Sequence, residues 1–355
     1  VSRVLVAMSG GVDSSVAAAL MIREGHEVTG VTMKLWSGPN GEAPQSGCCT
    51  LSDSEDARRV AGVLGIPYYV LDYTDVFMGG VVDRFIGEYL EGRTPNPCVE
   101  CNRTVKFARL LDHAAELGCE LVATGHYARI DDSLRLLRGV DRAKDQSYVL
   151  SMLTRRELAR LRFPVGELHK SETRRVASEL GLRTAKKPDS QDICFVGAGD
   201  YRDFLRRTRP EADRPGAIVD KDGNILGRHR GVVDFTIGQR RGLGVATGKP
   251  MYVTSIDPEN ARVVLGDRRA LEAAGLVLER FTWIDSAPDD DRVEVQYRAH
   301  GAAVSGSFQE ADGGLQVVFD QPQQAIAPGQ TAALYRDDQV LGGGIIARVD
   351  NLVRT

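Results

Sequence analysis

Seven consecutive residues, Ser9-Gly10-Gly11-Val12-Asp13-Ser14-Ser15, carry the densest chemistry in the chain: three hydroxyls, one carboxylate, and two glycines that let the backbone come close to an anion. Set between a strand and a helix, such a loop turns unpaired N–H groups and the positive end of the helix dipole toward phosphate oxygens. Ser9, Ser14 and Ser15 are expected to donate to those oxygens, and Asp13 to hold Mg²⁺. A kinase-type phosphate loop is longer and ends in a Lys-Ser/Thr pair; this one has no lysine, which disfavours transfer of a γ-phosphoryl group. The plain alternative is a Gly-Gly turn followed by a helix cap.

The second reactive set is sulfur. Six cysteines are too few for a disulfide scaffold in a chain of 355 residues, so a pair is expected to be chemical. Thr94-Pro95-Asn96-Pro97-Cys98-Val99-Glu100-Cys101-Asn102 is a proline-stiffened loop that brings two thiols to the start of a helix over 103–117, where the dipole favours thiolate. Lys186-Lys187-Pro188-Asp189-Ser190-Gln191-Asp192-Ile193-Cys194-Phe195 places another thiol beside cationic side chains, which have the same effect. Cys119 follows the pattern of a core residue, and Cys48-Cys49 has no assigned role.

These groups need elements to position them. Residues 4–8 read as a first strand, 14–24 as a helix stopped by Gly25, and 28–36 as a second strand. Ser52 and Glu55 have the spacing of a capping box before a helix ending near Gly65, and 68–71 and 121–124 read as further strands. The alternation predicts a doubly wound parallel α/β domain of the Rossmann-like kind. The Gly- and Pro-rich stretch 37–50 has no periodicity and is expected to be a mobile loop beside a nucleotide. Beyond about residue 210 the pattern becomes short strands and Gly-rich turns, which suits a small C-terminal β-barrel. The expected division is 1–207 catalytic, 208–275 connecting and 276–355 barrel.

The net charge of −4 is unevenly spread: residues 151–250 hold 21 Lys and Arg against 13 Asp and Glu, leaving that stretch +8 and the remainder −12. A polyanion such as RNA would find a landing place there. No apolar run approaches the ~18 residues that span a bilayer. The chain enters its first strand without a secretory signal pattern, so a cytoplasmic location and no membrane partner are expected.

The loop at 9–15 resembles the PP-loop of ATP pyrophosphatases, enzymes that adenylate an acceptor and release pyrophosphate. The acceptor is suggested by a closer resemblance, to the tRNA-specific 2-thiouridylases, which spans nearly the whole chain. It is carried by the phosphate loop, the Thr94–Asn102 loop followed by Lys106-Phe107, Ala123-Thr124-Gly125-His126-Tyr127, Lys144-Asp145-Gln146-Ser147-Tyr148, Pro164-Val165-Gly166, the run 189–195, Phe235 to Gly242, and Leu341 to Ile346.

The resemblance implies that ATP adenylates the C2 oxygen of a wobble uridine, with Ala7, Met8, Ser9, Gly10, Gly11, Val12, Asp13, Ser14, Met33 and Gly125 forming the ATP site. It implies that Cys194 carries a persulfide delivered by a cysteine desulfurase or relay protein, and that Cys101 closes a disulfide with it. Asn96, Pro97 and Cys98 match the loop that meets the target base, which must leave its stack in the anticodon arm. His126, Lys144, Asp145, Gln146, Tyr297, Arg298 and Gln339 match tRNA-contacting positions. Read as residues alone, Met33 is equally a sheet-core methionine and His126 a turn residue, and Arg298 and Gln339 are equally solvated barrel side chains. Some family members have aspartate where this chain has Cys98, and three thiols open a rival: Cys98, Cys101 and Cys194 as ligands of a [4Fe–4S] cluster. A small-molecule PP-loop ligase and a non-enzymatic RNA-binding module are the other readings; both leave Cys101 and Cys194 without a task.

Overall fold

Val4, Leu5 and Val6 have no solvent exposure because they form the middle of a parallel sheet covered on both faces, where each burial contributes roughly 1.5–3 kcal/mol. In the computed structural model, which describes residues 1–37, 50–189, 193–196, 200–311 and 313–352, this strand is β1 (Arg3–Ala7). Its neighbours are β2 (Glu27–Lys34) and β4 (Leu121–Ala123). Beyond them lie β3 (Tyr68–Asp72) and β7 (Leu161–Arg162), giving the order β3-β2-β1-β4-β7 with every pairing parallel. Helix α1 (Val12–Arg23) buries Val16, Ala17 and Ala18 against Val4, Val6 and Val28. Strand order reverses between β1 and β4, and the crevice at their carboxyl ends is where such sheets bind ligands. The phosphate loop leaves β1 at that point.

Local departures from the sequence pattern have identifiable causes. Helix α1 begins two residues early, with Gly11 as its N-cap. Helix α2 (Leu51–Leu64) is capped by Thr50, not Ser52: the Thr50 hydroxyl accepts from the Asp53 amide at 3.0 Å, and the Asp53 carboxylate accepts from the Thr50 amide at 3.2 Å. Its end at a left-handed Gly65 is as expected. The helix expected over 103–117 starts instead at Pro97, whose missing N–H and fixed φ suit a first helical turn. It runs through a π-helical stretch (Asn102–Phe107) into Ala108–Glu116. The stretch 38–49, with Cys48 and Cys49, and residues 190–192 lie outside the described residues.

The chain forms two compact units, one of residues 1–82, 97–198 and 338–341, the other of 83–96, 199–337 and 342–355. The first holds the parallel sheet and a hairpin of β5 (Ala128–Ile130) and β6 (Leu136–Arg138). Within the second, β8 (Gly216–Asp220), β9 (Ile225–His229), β10 (Tyr252–Asp257) and β11 (Arg262–Gly266) make a four-stranded sheet over Val253, Val263 and Leu265. There follow β12 (Glu272–Trp283), β13 (Arg292–Gln296), β14 (Val304–Ala311), β15 (Gly314–Gln324), β16 (Thr331–Arg336) and β17 (Gln339–Asn351). Because β12 pairs with both β15 and β17, these six close into a barrel. Among the described residues no helix is long and apolar enough to cross a membrane.

Candidate active site

Gly10 has φ +71°, and a Cβ there would come 2.2 Å from the carbonyl oxygen of Asp53, so only glycine fits where the loop passes the first turn of α2. At Gly125, after β4, a Cβ would come 2.6 Å from the Ser14 nitrogen. The loop is therefore bare backbone on two sides. No side chain caps α1, leaving its first amides for a ligand. Ser9 is exposed and its hydroxyl lies 3.3 Å from that of Ser14. Ser15 differs from expectation: it is buried and its hydroxyl donates to the Gly11 carbonyl at 2.7 Å, so it braces the loop from inside.

Asp13, expected to bind Mg²⁺, has other company. Lys170 Nζ donates to both its oxygens, at 2.7 and 2.8 Å, and the Tyr127 hydroxyl donates to Oδ1 at 2.9 Å. A metal at Asp13 would have to displace the ammonium. Burial raises the Tyr127 pKa far above its usual value, so this hydroxyl stays protonated as a donor. Lys170 also reaches Asp189 Oδ1 at 2.8 Å, and its ammonium is 5.5 Å from the Tyr127 ring centroid. Asp189 further accepts from Lys144 at 2.7 Å and Arg174 at 3.0 Å. Burial works against its charge, yet Lys144 and Lys170 outweigh it and hold its carboxyl down to about 2.

Lys187 was expected to activate Cys194. Its ammonium instead donates to the Gly10 carbonyl at 3.0 Å, Asp53 at 2.7 Å and Asp56 at 2.8 Å. Burial opposes the charge, but the two carboxylates prevail and raise its pKa. Much of the basic stretch is likewise paired internally: Arg174 with Asp189, Arg175 with Glu179, Arg206 with Asp213 and Asp234, Arg230 with Asp213. Arg240, Arg241 and Lys249 lie exposed in the second unit.

Cys101 is buried and Cys98 exposed, both within the turn Pro97–Cys101 rather than ahead of it; Cys194 is half-buried. Both thiols of the implied pair, Cys101 and Cys194, are present as thiols. The ring next to Cys194, Phe195, packs against Phe77 at 5.6 Å and Trp36 at 6.3 Å between centroids. Among the described residues no group of three or more His, Cys, Asp or Glu side chains is placed to hold a metal ion.

Met33 is half-buried near the carboxyl end of β2, beside the crevice; the wholly buried methionine of this sheet is Met8. The His126 ring is packed by Phe107 and Phe163 and bonded to Thr124 at 2.7 Å. Burial, helped by the Lys106 charge, pushes its pKa down to about 3, so the imidazole is neutral. Lys144 binds Asp189, Asp145 accepts from Arg138 and Ser147, and Gln146 accepts from the Tyr127 amide. In the second unit the Tyr297 hydroxyl donates to Gln323, and Arg298 donates to the Gln324 and Ala325 carbonyls. Gln339 pairs with Leu137 of β6. Lys170 and Asp189 were missed as site residues because their partners lie far away in sequence.

Three family models match in succession: a tRNA methyl transferase HUP domain over residues 2–198, a tRNA methyl transferase PRC-barrel domain over 202–267, and an aminomethyltransferase beta-barrel domain over 273–346. Among curated proteins, the chain is 48% identical to the tRNA-specific 2-thiouridylase MnmA of Methylobacterium sp. (strain 4-46), covering 98% of this chain and 95% of that one. The protein of the same name from Roseiflexus sp. (strain RS-1) is 49% identical, over 98% of this chain and all of that one. That from Chloroflexus aurantiacus (strain ATCC 29366 / DSM 635 / J-10-fl) is 50% identical over 98% and 99%.

Proposed function

Since the chain belongs to the tRNA-specific 2-thiouridylases, we propose that it is a tRNA-uridine 2-sulfurtransferase whose PP-loop binds ATP and whose Cys194 and Cys101 carry out the sulfur chemistry. The observation that supports this reading is the ion-paired chain from Asp13 of the phosphate loop through Lys170 to Asp189, a residue that stands five positions before Cys194 in the sequence.

ATP, with Mg²⁺ as its counter-ion, lies with its phosphates on the amides of Gly10 to Ser14, and Met33 and Gly125 border the adenine. The C2 oxygen of the wobble uridine displaces pyrophosphate from the α-phosphorus, giving an adenylated base whose oxygen leaves with AMP. The terminal sulfur of a Cys194 persulfide attacks C2 and expels AMP. Cys101 thiolate then attacks Cys194 Sγ, breaking the S–S bond to the new sulfur; 2-thiouridine leaves and a Cys101–Cys194 disulfide forms. A two-electron reductant restores both thiols. A cysteine desulfurase or relay protein supplies the persulfide, and a reducing cytosol suits the cycle.

We assign ATP and thiol chemistry to residues 1–207, a connecting role to 208–275, and grip on the anticodon arm to the barrel of 276–355. Asn96, Pro97 and Cys98 meet the flipped base, and His126, Lys144, Asp145, Gln146, Tyr297, Arg298 and Gln339 face the RNA.

The test is thiolation of tRNA with ATP and a persulfide-generating desulfurase by protein freed of iron. Equal consumption of ATP and formation of 2-thiouridine, AMP and pyrophosphate supports the reading. Adenylation of a small carboxylate without tRNA dependence would overturn it.

A further inference from the structure

Ile193 to Val196 hold Cys194 in a tight turn: the Val196 amide donates to the Ile193 carbonyl at 3.1 Å, with Cys194 and Phe195 at the two central positions. Of the four residues only Phe195 is buried, at 4% exposure, while the Cys194 beside it is half-buried. A single turn has little internal stability, so its place is set by the one side chain that packs into the body of the protein.

The Phe195 ring stands edge-on to Phe77, with 5.6 Å between centroids, and is tilted against Trp36 at 6.3 Å; at these spacings ring packing is directional as well as apolar. Phe77 is wholly buried at the end of the short helix Thr74–Phe77. The residue before that helix, Tyr73, fastens it to the helix Ala108–Glu116: its hydroxyl lies 2.9 Å from His113 Nδ1 and 3.3 Å from the Arg109 carbonyl. After Phe77 the chain enters a π-helical turn, Met78–Val82, in which a Cβ on Gly80 would lie 3.6 Å from the Thr104 hydroxyl. That hydroxyl donates to the carbonyl of Glu100, the neighbour of Cys101, at 2.8 Å. Both thiols therefore ride on one packed body, Cys101 through its own helix and Cys194 through the ring next to it.

We propose that Phe195 is a positioning residue for Cys194: its ring, seated on Phe77 and Trp36, fixes the turn that presents the thiol and so sets the place from which sulfur is delivered. The catalytic consequence rests on Cys194 being the sulfur-carrying thiol.

The experiment places Phe195→Ala, Phe195→Leu and Trp36→Ala in the full chain and takes two readouts. One is steady-state thiolation of tRNA with ATP and a persulfide-generating desulfurase. The other, without tRNA, is the rate at which iodoacetamide alkylates Cys194 relative to Cys101, read by peptide mass spectrometry. Phe195→Ala lowers kcat by about 10²-fold, the cost of misplacing a reacting group by ~1 Å, and leaves KM for tRNA and ATP unchanged. Its Cys194 labels several-fold faster, while Cys101 labels at the wild-type rate. Phe195→Leu, which refills most of the ring's volume, recovers most of kcat and the slow labelling. Trp36→Ala removes the less buried wall and shows the same selective change in smaller measure; should Phe195→Ala not fold, its absence in Trp36→Ala overturns the proposal. Wild-type kcat and labelling in Phe195→Ala, or faster labelling of both cysteines alike, also overturns it. The labelling needs no tRNA, so a wild-type chain that fails to thiolate refutes the functional reading while the labelling still decides whether Phe195 places the thiol.

Discussion

Gly125 lies against the backbone of Ser14, so close that a methyl group in place of its hydrogen would sit 2.6 Å from the Ser14 nitrogen and 2.7 Å from the Asp13 carbonyl carbon. The loop after β4 thereby closes over the start of α1. Gly125→Ala must push these segments apart, costing about 1–3 kcal/mol of stability and weakening ATP binding. Gly87→Ala is the control, since that glycine lies inside the helix Asp83–Leu90 with nothing within 4 Å, and it should stabilise by about 0.5–1 kcal/mol. Denaturant midpoints and ATP calorimetry on both variants decide the matter.

Lys187 holds Gly10 to the acidic pair Asp53 and Asp56. Lys187→Met leaves two carboxylates facing each other with one cation fewer; the site is partly exposed, so the expected loss is about 1–2 kcal/mol rather than the larger cost of a fully buried pair. Adding Asp56→Asn should recover part of that loss. Strict additivity of the two variants would show that the groups do not interact.

The neutral imidazole of His126 makes acid destabilising. An unfolded histidine titrates near 6.5, whereas burial and Lys106 hold this one near 3. Below pH 6.5 the unfolded chain takes up a proton that the folded chain refuses; the contribution is complete above 6.5 and is lost as pH falls toward 3. Stability at pH 5 should be about 1.5 kcal/mol lower than at pH 6.5 from this residue, and His126→Gln should flatten that part of the profile. A variant whose pH profile matches the wild type would remove His126 as the cause.

Cys194→Ala should abolish 2-thiouridine formation with tRNA affinity within about twofold of wild type, because it removes one sulfur atom and no charge that pairs with phosphate. Cys101→Ala should instead stall after sulfur attack, leaving tRNA joined to Cys194 through a bond cleaved by dithiothreitol. A non-reducing gel of the enzyme with labelled tRNA reads the adduct; normal turnover by either variant contradicts the assigned division of roles.

Local signals in the sequence were legible. The Gly-Gly loop after an apolar strand, the left-handed Gly65 and the short alternating runs of the barrel each act through near neighbours, so pattern alone reveals them. The helix at Pro97 was misplaced by six residues because two prolines read as loop, although proline also suits a first turn. The ion-paired groups were not legible. Lys170 meets Asp13 across 157 residues and Lys187 meets Asp53 across 134, and nothing in a basic run distinguishes a lysine bound to a carboxylate from one waiting for phosphate.

The first unit includes residues 338–341, where Asp338 pairs with Arg129 and Arg142, its carbonyl accepts from the Arg138 amide, and Gln339 pairs with Leu137. During synthesis those arginines emerge some two hundred residues before their carboxylate, a delay on the order of ten seconds at ordinary translation rates. The nascent nucleotide-binding half must wait, with one hairpin edge open, for a tether made some two hundred residues later. A ribosome that stops after residue 198 would release an unfinished half, and quality control would have a ready signature by which to discard it.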